Sequence, residues 1–353
     1  MVVTETREYD ILIIGGGVIG IFCAYYASQA WPHKKIAIMD KGMLGKGVTA
    51  YSACLDFPYG VTAYKRKLTG KSQGLFSELM EKYPELPVAR VPFVGIAHQR
   101  SIGEVLSNIT APGAQKGTVA SFHQHVPAGF QLGEGNKYFH QLHAQYAYND
   151  ITYALALELA REQKITIYEG TEATSLDKPA DKYVVATNYG VSLKAGAIID
   201  ATGPWMNKGF SAASIAYRQT RIKKIVALHI DEAPPANAPI IYLFNDDAFF
   251  LPQPHLSRWL FSYRCEDWDL DIYKDDFKIS PANYSDASNV LRKYNEGLHS
   301  RIAGGRAYCD LYSPDGDPII ETPDTGYVIV GAPGGSGFRL APALAQSAIS
   351  TLT

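Results

Sequence analysis

A glycine-rich turn near the start of the chain constrains the fold more than any other feature. A strand-like run over residues 9–14 leads into Gly15, Gly17 and Gly20, which have the spacing G-x-G-x-x-G, and an apolar helical pattern follows. The first glycine permits a tight turn, the second lets the backbone approach a pyrophosphate, and the third lets helix and strand pack closely. The helix N-terminus then faces the phosphates with its positive dipole end.

An acidic residue stands at the distance that such a turn requires. A second predicted strand, residues 35–39, ends in Asp40, which comes 20 residues after Gly20. A carboxylate in this place accepts hydrogen bonds from a ribose hydroxyl. Strand, turn, helix and acid together predict a dinucleotide-binding domain of the Rossmann type. The motif fits FAD and NAD equally well, so the choice of cofactor depends on the rest of the chain.

Composition and charge narrow the class of protein. The 353 residues allow two domains, and 46% apolar with 19% charged residues favour a compact fold over disorder. A formal net charge of -2 gives no electrostatic case for nucleic acid as a partner. The apolar stretch over residues 18–30 is too short to span a bilayer. Four widely spaced cysteines without a C-x-x-C pair argue against zinc and predict a cytoplasmic protein.

Two later segments also run from a strand into a glycine turn. A predicted helix over residues 151–163 is followed by short strand-like runs, and the last of these, 197–200, enters A-T-G-P-W at 201–205. Near the C-terminus a strand at 327–331 enters A-P-G-G-S-G-F-R, and a helix is predicted from Ala341. Small residues at both turns would let bare backbone approach a ligand.

Three blocks resemble the D-amino acid oxidase family of FAD-dependent oxidoreductases, which includes glycine oxidase and sarcosine oxidase. They are YDILIIGGGVIG with Asp40, then IIDATGPW, then SPDGDPII followed by GAPGGSGFRLAP. The resemblance covers both ends and the middle, whereas residues 60–145 match only in general character. It implies FAD as cofactor and an α/β fold. A Rossmann-like FAD-binding domain, with a doubly wound parallel sheet, would be interleaved with an α+β substrate domain built on an antiparallel sheet.

The resemblance also implies domain boundaries. The FAD-binding domain would comprise residues 1–60, 145–210 and 305–353, and the substrate domain 61–144 and 211–304. Runs at 222–230, 249–251 and 259–263 have the β-branched and aromatic character of strands. Because the chain has no second G-x-G-x-x-G, a dedicated NADPH site is not expected. Electrons would then pass to dioxygen or to another carrier.

The predicted cofactor contacts come from the motif and from the resemblance. Besides Gly15, Gly17, Gly20 and Asp40, the resemblance assigns to FAD a further set: Lys41, Thr49, Ala50, Ala173, Gly203, Trp205, Gly335, Gly337 and Phe338. Cys54 stands where family members often have glycine, and we expect a buried small side chain there. Cys309 is one position away from a cysteine that attaches FAD covalently in some members. Non-covalent FAD and a packed thiol are therefore expected.

Two arginines are predicted to bind the substrate. Oxidation of an amine requires mainly orientation of the C–H bond over the flavin, and a guanidinium matches a substrate carboxylate in bidentate fashion. Arg306 resembles the arginine of a family element that precedes the P-D-G block, and Arg339 follows G-S-G-F, where sarcosine oxidase-like members carry a cationic carboxylate ligand. The gap after Arg306 is longer than in glycine oxidase-like sequences, so its register stays open. Surface or phosphate-contacting roles are the alternatives.

Other basic residues carry weaker signals. His123, His125, His140 and His143 form H-x-H and H-x-x-H, but no acid or cysteine cluster accompanies them. We expect solvent-facing or hydrogen-bonded histidines and no metal site. A lysine pair at 223–224 could supply positive charge for dioxygen reduction, although a solvated pair at a strand end is favoured.

Three functions are consistent with the sequence. The leading hypothesis is an oxidase that converts a small amine or amino acid to an imine and hydrogen peroxide. The second keeps the fold and passes electrons to a quinone or protein, or oxidises a 2-hydroxy acid. The third is a maturation factor whose flavin acts on a partner protein or on RNA, with residues 120–150 as a docking surface.

Overall fold

Two β-sheets and the helices around them organise the chain in a computed structural model, which describes residues 6–208 and 219–352. The strands are β1 (Thr6–Ile14), β2 (Ile36–Met39), β3 (Leu55–Asp56), β4 (Val88–His98), β5 (Gln115–Lys116), β6 (Asn136–Ala147), β7 (Thr166–Tyr168), β8 (Ala173–Asp177), β9 (Tyr183–Thr187), β10 (Ser192–Asp200), β11 (Arg221–Ile230), β12 (Ile240–Leu243), β13 (Ala248–Gln253), β14 (Arg258–Tyr263), β15 (Ile302–Tyr312), β16 (Ile319–Asp324) and β17 (Tyr327–Gly331). The helices are α1 (Val18–Ala30), α2 (Val48–Tyr51), α3 (Ala63–Lys82), α4 (Ile102–Ser107), α5 (Phe122–His125), α6 (Ile151–Arg161), α7 (Pro281–Tyr294), α8 (Glu296–His299) and α9 (Gly337–Ser350).

The first sheet has the order β16-β17-β10-β1-β2-β7, and the β8–β9 hairpin joins it at β10. Strands β17, β10, β1, β2 and β7 are mutually parallel, as the Rossmann prediction requires. Alternate residues of β1 explain why both faces are covered. Ile11 and Ile13 pack against helices α1, α3, α6 and α9, whereas Leu12 and Ile14 pack against the β8–β9 side and β15.

The second sheet has the order β15-β11-β14-β13-β12-β4-β6-β3, with β5 beside β6. Its pairs are antiparallel except β12 with β4, which is parallel. The sequence therefore predicted the α/β class, the parallel first sheet and the largely antiparallel second sheet, and the structure confirms them.

The structure differs from the expected segments in three places. Strand β15 belongs to the second sheet, although its residues 305–312 lie in the segment expected to bind FAD. Helix α3 packs on α9, and its apolar stripe of Leu75, Phe76 and Leu79 shares the core of the first sheet. Helix α9 begins at Gly337 and not at Ala341, so Pro342 lies inside it.

The expectation of a solvated lysine pair is wrong. Lys223 and Lys224 are only 6% and 7% exposed, because β11 is an interior strand that is covered on both faces. Lys224 Nζ lies 3.7 Å from a carboxylate oxygen of Asp267, and Lys223 Nζ lies 4.8 Å from the ring centroid of Trp268. Within residues 6–208 and 219–352, no helix is both long and apolar enough to cross a bilayer.

Candidate active site

The three motif glycines have distinct roles in the turn between β1 and α1. Gly15 has φ +103, and a Cβ there would lie 2.5 Å from the carbonyl oxygen of Ala201. A Cβ on Gly20 would lie 1.9 Å from the carbonyl oxygen of Gly15, so this glycine allows the helix to approach the strand. A Cβ on Gly17 would meet only Thr49 Oγ1, at 3.4 Å. Gly17 therefore borders open space at the N-terminus of α1, where an anion would be stabilised.

Asp40 is fixed at the end of β2. Its carboxylate accepts hydrogen bonds from the backbone N–H of Gly16 and of Gly42, both at 2.8 Å. Residues 170–171 lie alongside this segment. The backbone N–H of Gly170 donates to the carbonyl oxygen of Gly42, and that of Thr171 donates to the carbonyl oxygen of Asp40. Ala173 follows at the start of β8. Asp40 and Ala173 thus lie on neighbouring segments, on the side where the motif directs an adenosine.

A loop over residues 45–54 covers the open space at Gly17. Thr49 Oγ1 accepts a hydrogen bond from the N–H of Val18 at 3.1 Å, and Ala50 is exposed toward the cavity beside it. Trp205 closes the other side of the loop. Lys41 Nζ lies 4.1 Å from the Trp205 ring centroid, and the ring would be 3.6 Å from a Cβ on Gly47.

The other predicted cofactor residues lie at two glycine turns. Gly203, with φ +63, follows β10, and nothing lies within 4 Å of a Cβ placed on it. Gly335 and Gly337 lie at the start of α9, where the N–H of Gly335 donates to the Tyr312 hydroxyl at 3.2 Å. The Phe338 side chain points away from this turn into the core, with its ring 5.1 Å from that of Phe76. Only its backbone is left to face a cofactor.

Strand β15, at the end of the second sheet, divides its side chains between two environments. Ala307, Cys309 and Leu311 are buried, whereas the alternate residues are half-buried and share the opposite face of the strand. These alternate residues are Arg306, Tyr308, Asp310 and Tyr312. Burial raises the pKa of the Cys309 thiol to about 12, so the thiol is neutral and packed, as expected.

Arg306 faces a cavity of about 210 Å³. Its Nη2 donates to the carbonyl oxygen of Ser52 at 3.0 Å, while its Nε is buried without a partner. Arg258 lines the same cavity and donates from Nε to the Gln253 side chain at 3.0 Å. Within the described part of the chain neither arginine forms an ion pair. Burial, and to a smaller extent the charges of Arg258 and Arg306, lower the pKa of His229 to about 4.

Arg339 crosses from α9 to the second sheet and is only 7% exposed. Its guanidinium lies 3.7 Å from the ring centroid of Phe57 and donates from Nη1 to the carbonyl oxygen of Tyr59 at 2.6 Å. Its Nε has no partner. The Asp56 carboxyl is near: burial raises the pKa of this group to about 6, and Arg339 opposes that rise. Arg339 and Arg306 therefore occupy separate parts of the site.

Cys54 has φ 45, in the left-handed region where glycine is the usual residue. Its Sγ lies 3.7 Å from the carbonyl oxygen of Thr49, and burial raises the pKa of the thiol to about 12. The thiol is therefore neutral at physiological pH, as expected of a packed side chain.

The four histidines follow the expectation of hydrogen-bonded or exposed side chains. His125 Nδ1 lies 3.1 Å from the carbonyl oxygen of Ser121, and its ring stacks on that of His140 with centroids 3.7 Å apart. His123 and His143 are exposed. Across the residues that the structure describes, no group of three or more His, Cys, Asp or Glu side chains is arranged to hold a metal ion.

The turn between β1 and α1 has the features that dinucleotide binding requires. They are a helix N-terminus that faces open space at Gly17 and the Asp40 carboxylate at the end of β2, and two further glycine turns follow β10 and precede α9. A family model for FAD dependent oxidoreductases, DAO, matches residues 10–350. The chain belongs to this family. No curated protein matches it by sequence.

Solved structures of flavoproteins share the fold. Glycine oxidase from Geobacillus kaustophilus superposes with a TM-score of 0.82 at 17% identity, covering 98% of this chain and 96% of the other. L-alpha-glycerophosphate oxidase from Mycoplasma pneumoniae gives 0.83 at 19% identity, with 98% and 95% covered. L-proline dehydrogenase from P. horikoshii gives 0.81 at 18% identity, with 99% and 94% covered. Identities this low show a shared fold and leave the substrate open.

Two residues of this FAD-dependent oxidoreductase were missed by sequence reasoning. Arg258 meets Arg306 only through the order of β15, β11 and β14 in the sheet, which a single sequence does not display. Asp310 could have been found, because the alternation of β15 puts it on the same face as Arg306.

Proposed function

We propose that this FAD-dependent oxidoreductase oxidises the carbon–nitrogen bond of a small amino acid or amine to an imine. Bound FAD would supply the two-electron acceptor for the substrate hydride. The observation that carries the proposal is Arg339, a buried guanidinium with an unpartnered Nε at the junction of the two sheets. A carboxylate is its natural ligand, because a planar fork binds two oxygens at once.

Arg306, on β15, supports the same substrate class from a separate part of the site. It faces an open cavity beside Arg258, and within residues 6–208 and 219–352 neither guanidinium has a carboxylate partner. Two such cations would attract an anionic substrate into the cavity even where Arg339 makes the final contact.

Other functions would use the same fold with a different substrate or electron acceptor. The fold shared with a glycerophosphate oxidase supports oxidation of a hydroxyl-bearing substrate. The fold shared with a proline dehydrogenase supports transfer of the electrons to a quinone or a protein. A maturation factor has less support. In the stretch considered for docking, Tyr138 and Tyr146 are 0% and 2% exposed, whereas Tyr148 is 43% exposed, so part of this stretch is core and does not form a surface. Four free, buried thiols favour a reducing compartment such as the cytoplasm.

A bleaching assay tests the function. Purified holoenzyme is mixed without oxygen with glycine, sarcosine, L-proline, methylamine, lactate and glycerol 3-phosphate, and flavin absorbance near 450 nm is followed, on the order of minutes. We expect bleaching by at least one amine or amino acid, and recovery within seconds when air is admitted. Bleaching only by lactate or glycerol 3-phosphate would refute carbon–nitrogen oxidation, and slow recovery in air would point to another acceptor.

The form of cofactor attachment has a separate test. The Cys309 side chain lies in the core, on the face of β15 opposite to Arg306 and Tyr308, so it faces away from the site. We expect denatured protein to lose all its flavin on a desalting column, and Cys309→Ala to behave in the same way. Flavin retained by the wild type and lost by Cys309→Ala would establish a covalent thioether and contradict this prediction.

A further inference from the structure

Asp310 is a carboxylate on β15, beside the glycine turn that begins α9. It is half-buried on the face of β15 that carries Arg306 and Tyr308. Its Oδ2 lies 3.7 Å from the position that a Cβ would take on Gly335, at the turn that begins α9. Among the described residues it makes no hydrogen bond and no ion pair. A half-buried carboxylate without a hydrogen-bond partner is costly, and such groups are retained where a ligand or a proton transfer requires them.

Charged or titratable groups face Asp310 from β11, α3 and its own strand. Lys223 on β11 stands directly opposite it in the antiparallel register, and Lys65 approaches from α3. Tyr308 and Tyr312 flank it on its own strand, and the Gly335 turn brings no titratable side chain. Burial raises the pKa of Asp310 to about 7, while the two lysines oppose that rise. Around neutral pH the group can accept or release a proton with little cost.

We propose that Asp310 is the proton acceptor for the substrate, an inference that rests on the proposed oxidation of an amine. An ammonium N–H bond breaks, its proton moves to a carboxylate oxygen of Asp310, and the electron pair remains on nitrogen. When FAD is bound, it would accept the carbon-bound hydrogen of the neutral amine as hydride, which carries two electrons, and the nitrogen lone pair would form the C=N bond.

The charge distribution fits a zwitterion. Arg339 lies toward β3 and Asp310 toward the glycine turn, and the pKa of Lys65 responds to both, falling to about 8 chiefly through burial and then through Arg339. An amino acid between them would direct its carboxylate to the arginine and its ammonium to the aspartate. The site would thus bind the protonated amine that dominates at neutral pH and deprotonate it in place.

A titration of the holoenzyme tests Asp310 without any substrate. Flavin absorbance is recorded from about pH 5 to 9 for wild type, Asp310→Asn, Lys223→Met and Asp315→Asn. We expect a transition near neutral pH in the wild type that is lost in Asp310→Asn. Lys223→Met should move it to higher pH, because the lysine charge favours the carboxylate. Asp315→Asn is the matched control, since this exposed neighbour has a lowered pKa and stays ionised throughout.

Kinetics with an amine that bleaches the flavin test the proton transfer. The wild-type reduction rate should fall as the pH drops through neutrality, because protonated Asp310 cannot accept a proton. The reduction rate of Asp310→Asn should depend on the free amine alone. At a pH two units below the pKa of the amine, the free form is about 1% of the total amine. The rate of the variant should therefore be lower than that of the wild type there, and should approach the wild-type rate near the amine pKa.

The outcomes separate the two proposals. A neutral-pH transition that persists in Asp310→Asn, or equal losses at every pH, would overturn the role of Asp310. A panel in which no amine bleaches the flavin would instead overturn the proposed function and leave the titration result standing. If Asp310→Asn does not bind FAD, Lys223→Met serves as the test instead. A flavin transition that stays at the wild-type pH in Lys223→Met would contradict the role of Asp310.

Discussion

Gly17→Val should give folded protein that is colourless. Gly17 has φ -73, which valine can adopt, and a Cβ there would meet only Thr49 Oγ1 at 3.4 Å. The apoprotein can therefore accept the larger side chain. The space it would fill is the space in front of the α1 N-terminus, where the family binds the pyrophosphate of FAD. Loss of that contact should remove the cofactor altogether, as measured by absorbance near 450 nm and by acid release of flavin.

Two other glycines supply the controls for this result. Gly70 lies on α3 with nothing within 4 Å of an added Cβ, so Gly70→Val should keep full FAD content. Gly20→Val should fail to fold, because its Cβ would lie 1.9 Å from a backbone oxygen. Yellow Gly17→Val with one FAD per chain would contradict the placement of the pyrophosphate. Recovery of FMN or NAD from wild-type protein would contradict the cofactor itself.

The dinucleotide turn could be predicted because its signal is local. Gly15 and Gly20 are required by contacts with backbone atoms of the same motif or of the adjoining strand, and Asp40 follows at a fixed distance along the chain. The acid also has a role that spacing alone does not reveal. It accepts two backbone hydrogen bonds, from Gly16 and Gly42, and so stiffens the turn before any ribose arrives.

The division between the two sheets was harder to predict, because strand and helix patterns do not say what they pack against. The apolar stripe of α3 would suit either sheet, and the contact of Phe76 with Phe338 of α9 decides the matter. The period-two pattern of β15 gives two faces without saying which one meets the site. That choice follows from β11, which places Lys223 opposite Asp310.

Arg339→Ala should produce the largest catalytic loss among correctly folded variants. A charge-assisted, bidentate contact with a substrate carboxylate in a desolvated site contributes about 2–4 kcal/mol. At a factor of ten per 1.4 kcal/mol, kcat/KM for an amino-acid substrate should fall roughly 30- to 1000-fold. FAD content should be unchanged, since the guanidinium contacts Phe57 and Tyr59 and no predicted cofactor residue.

Truncation also removes packing, and the controls must account for that. The guanidinium covers the Phe57 ring and faces Asp56, so Arg339→Ala leaves a cavity beside a carboxyl whose pKa should rise further. Arg339→Met retains most of the volume without the charge, and we expect it to lose as much activity as alanine while unfolding at a higher temperature. Arg339→Lys retains the charge without the fork and should recover part of the activity.

The decisive comparison is between substrates with and without a carboxylate. Glycine and methylamine differ by that group alone, so a clamp at Arg339 requires Arg339→Met to reduce kcat/KM for glycine far more than for methylamine. The ratio of the two losses isolates the carboxylate contact, because damage to packing or to the flavin environment affects both substrates alike. Equal losses would assign Arg339 to the junction between α9 and β3. The cavity lined by Arg306 and Arg258 would then be the remaining place for an anionic substrate to bind.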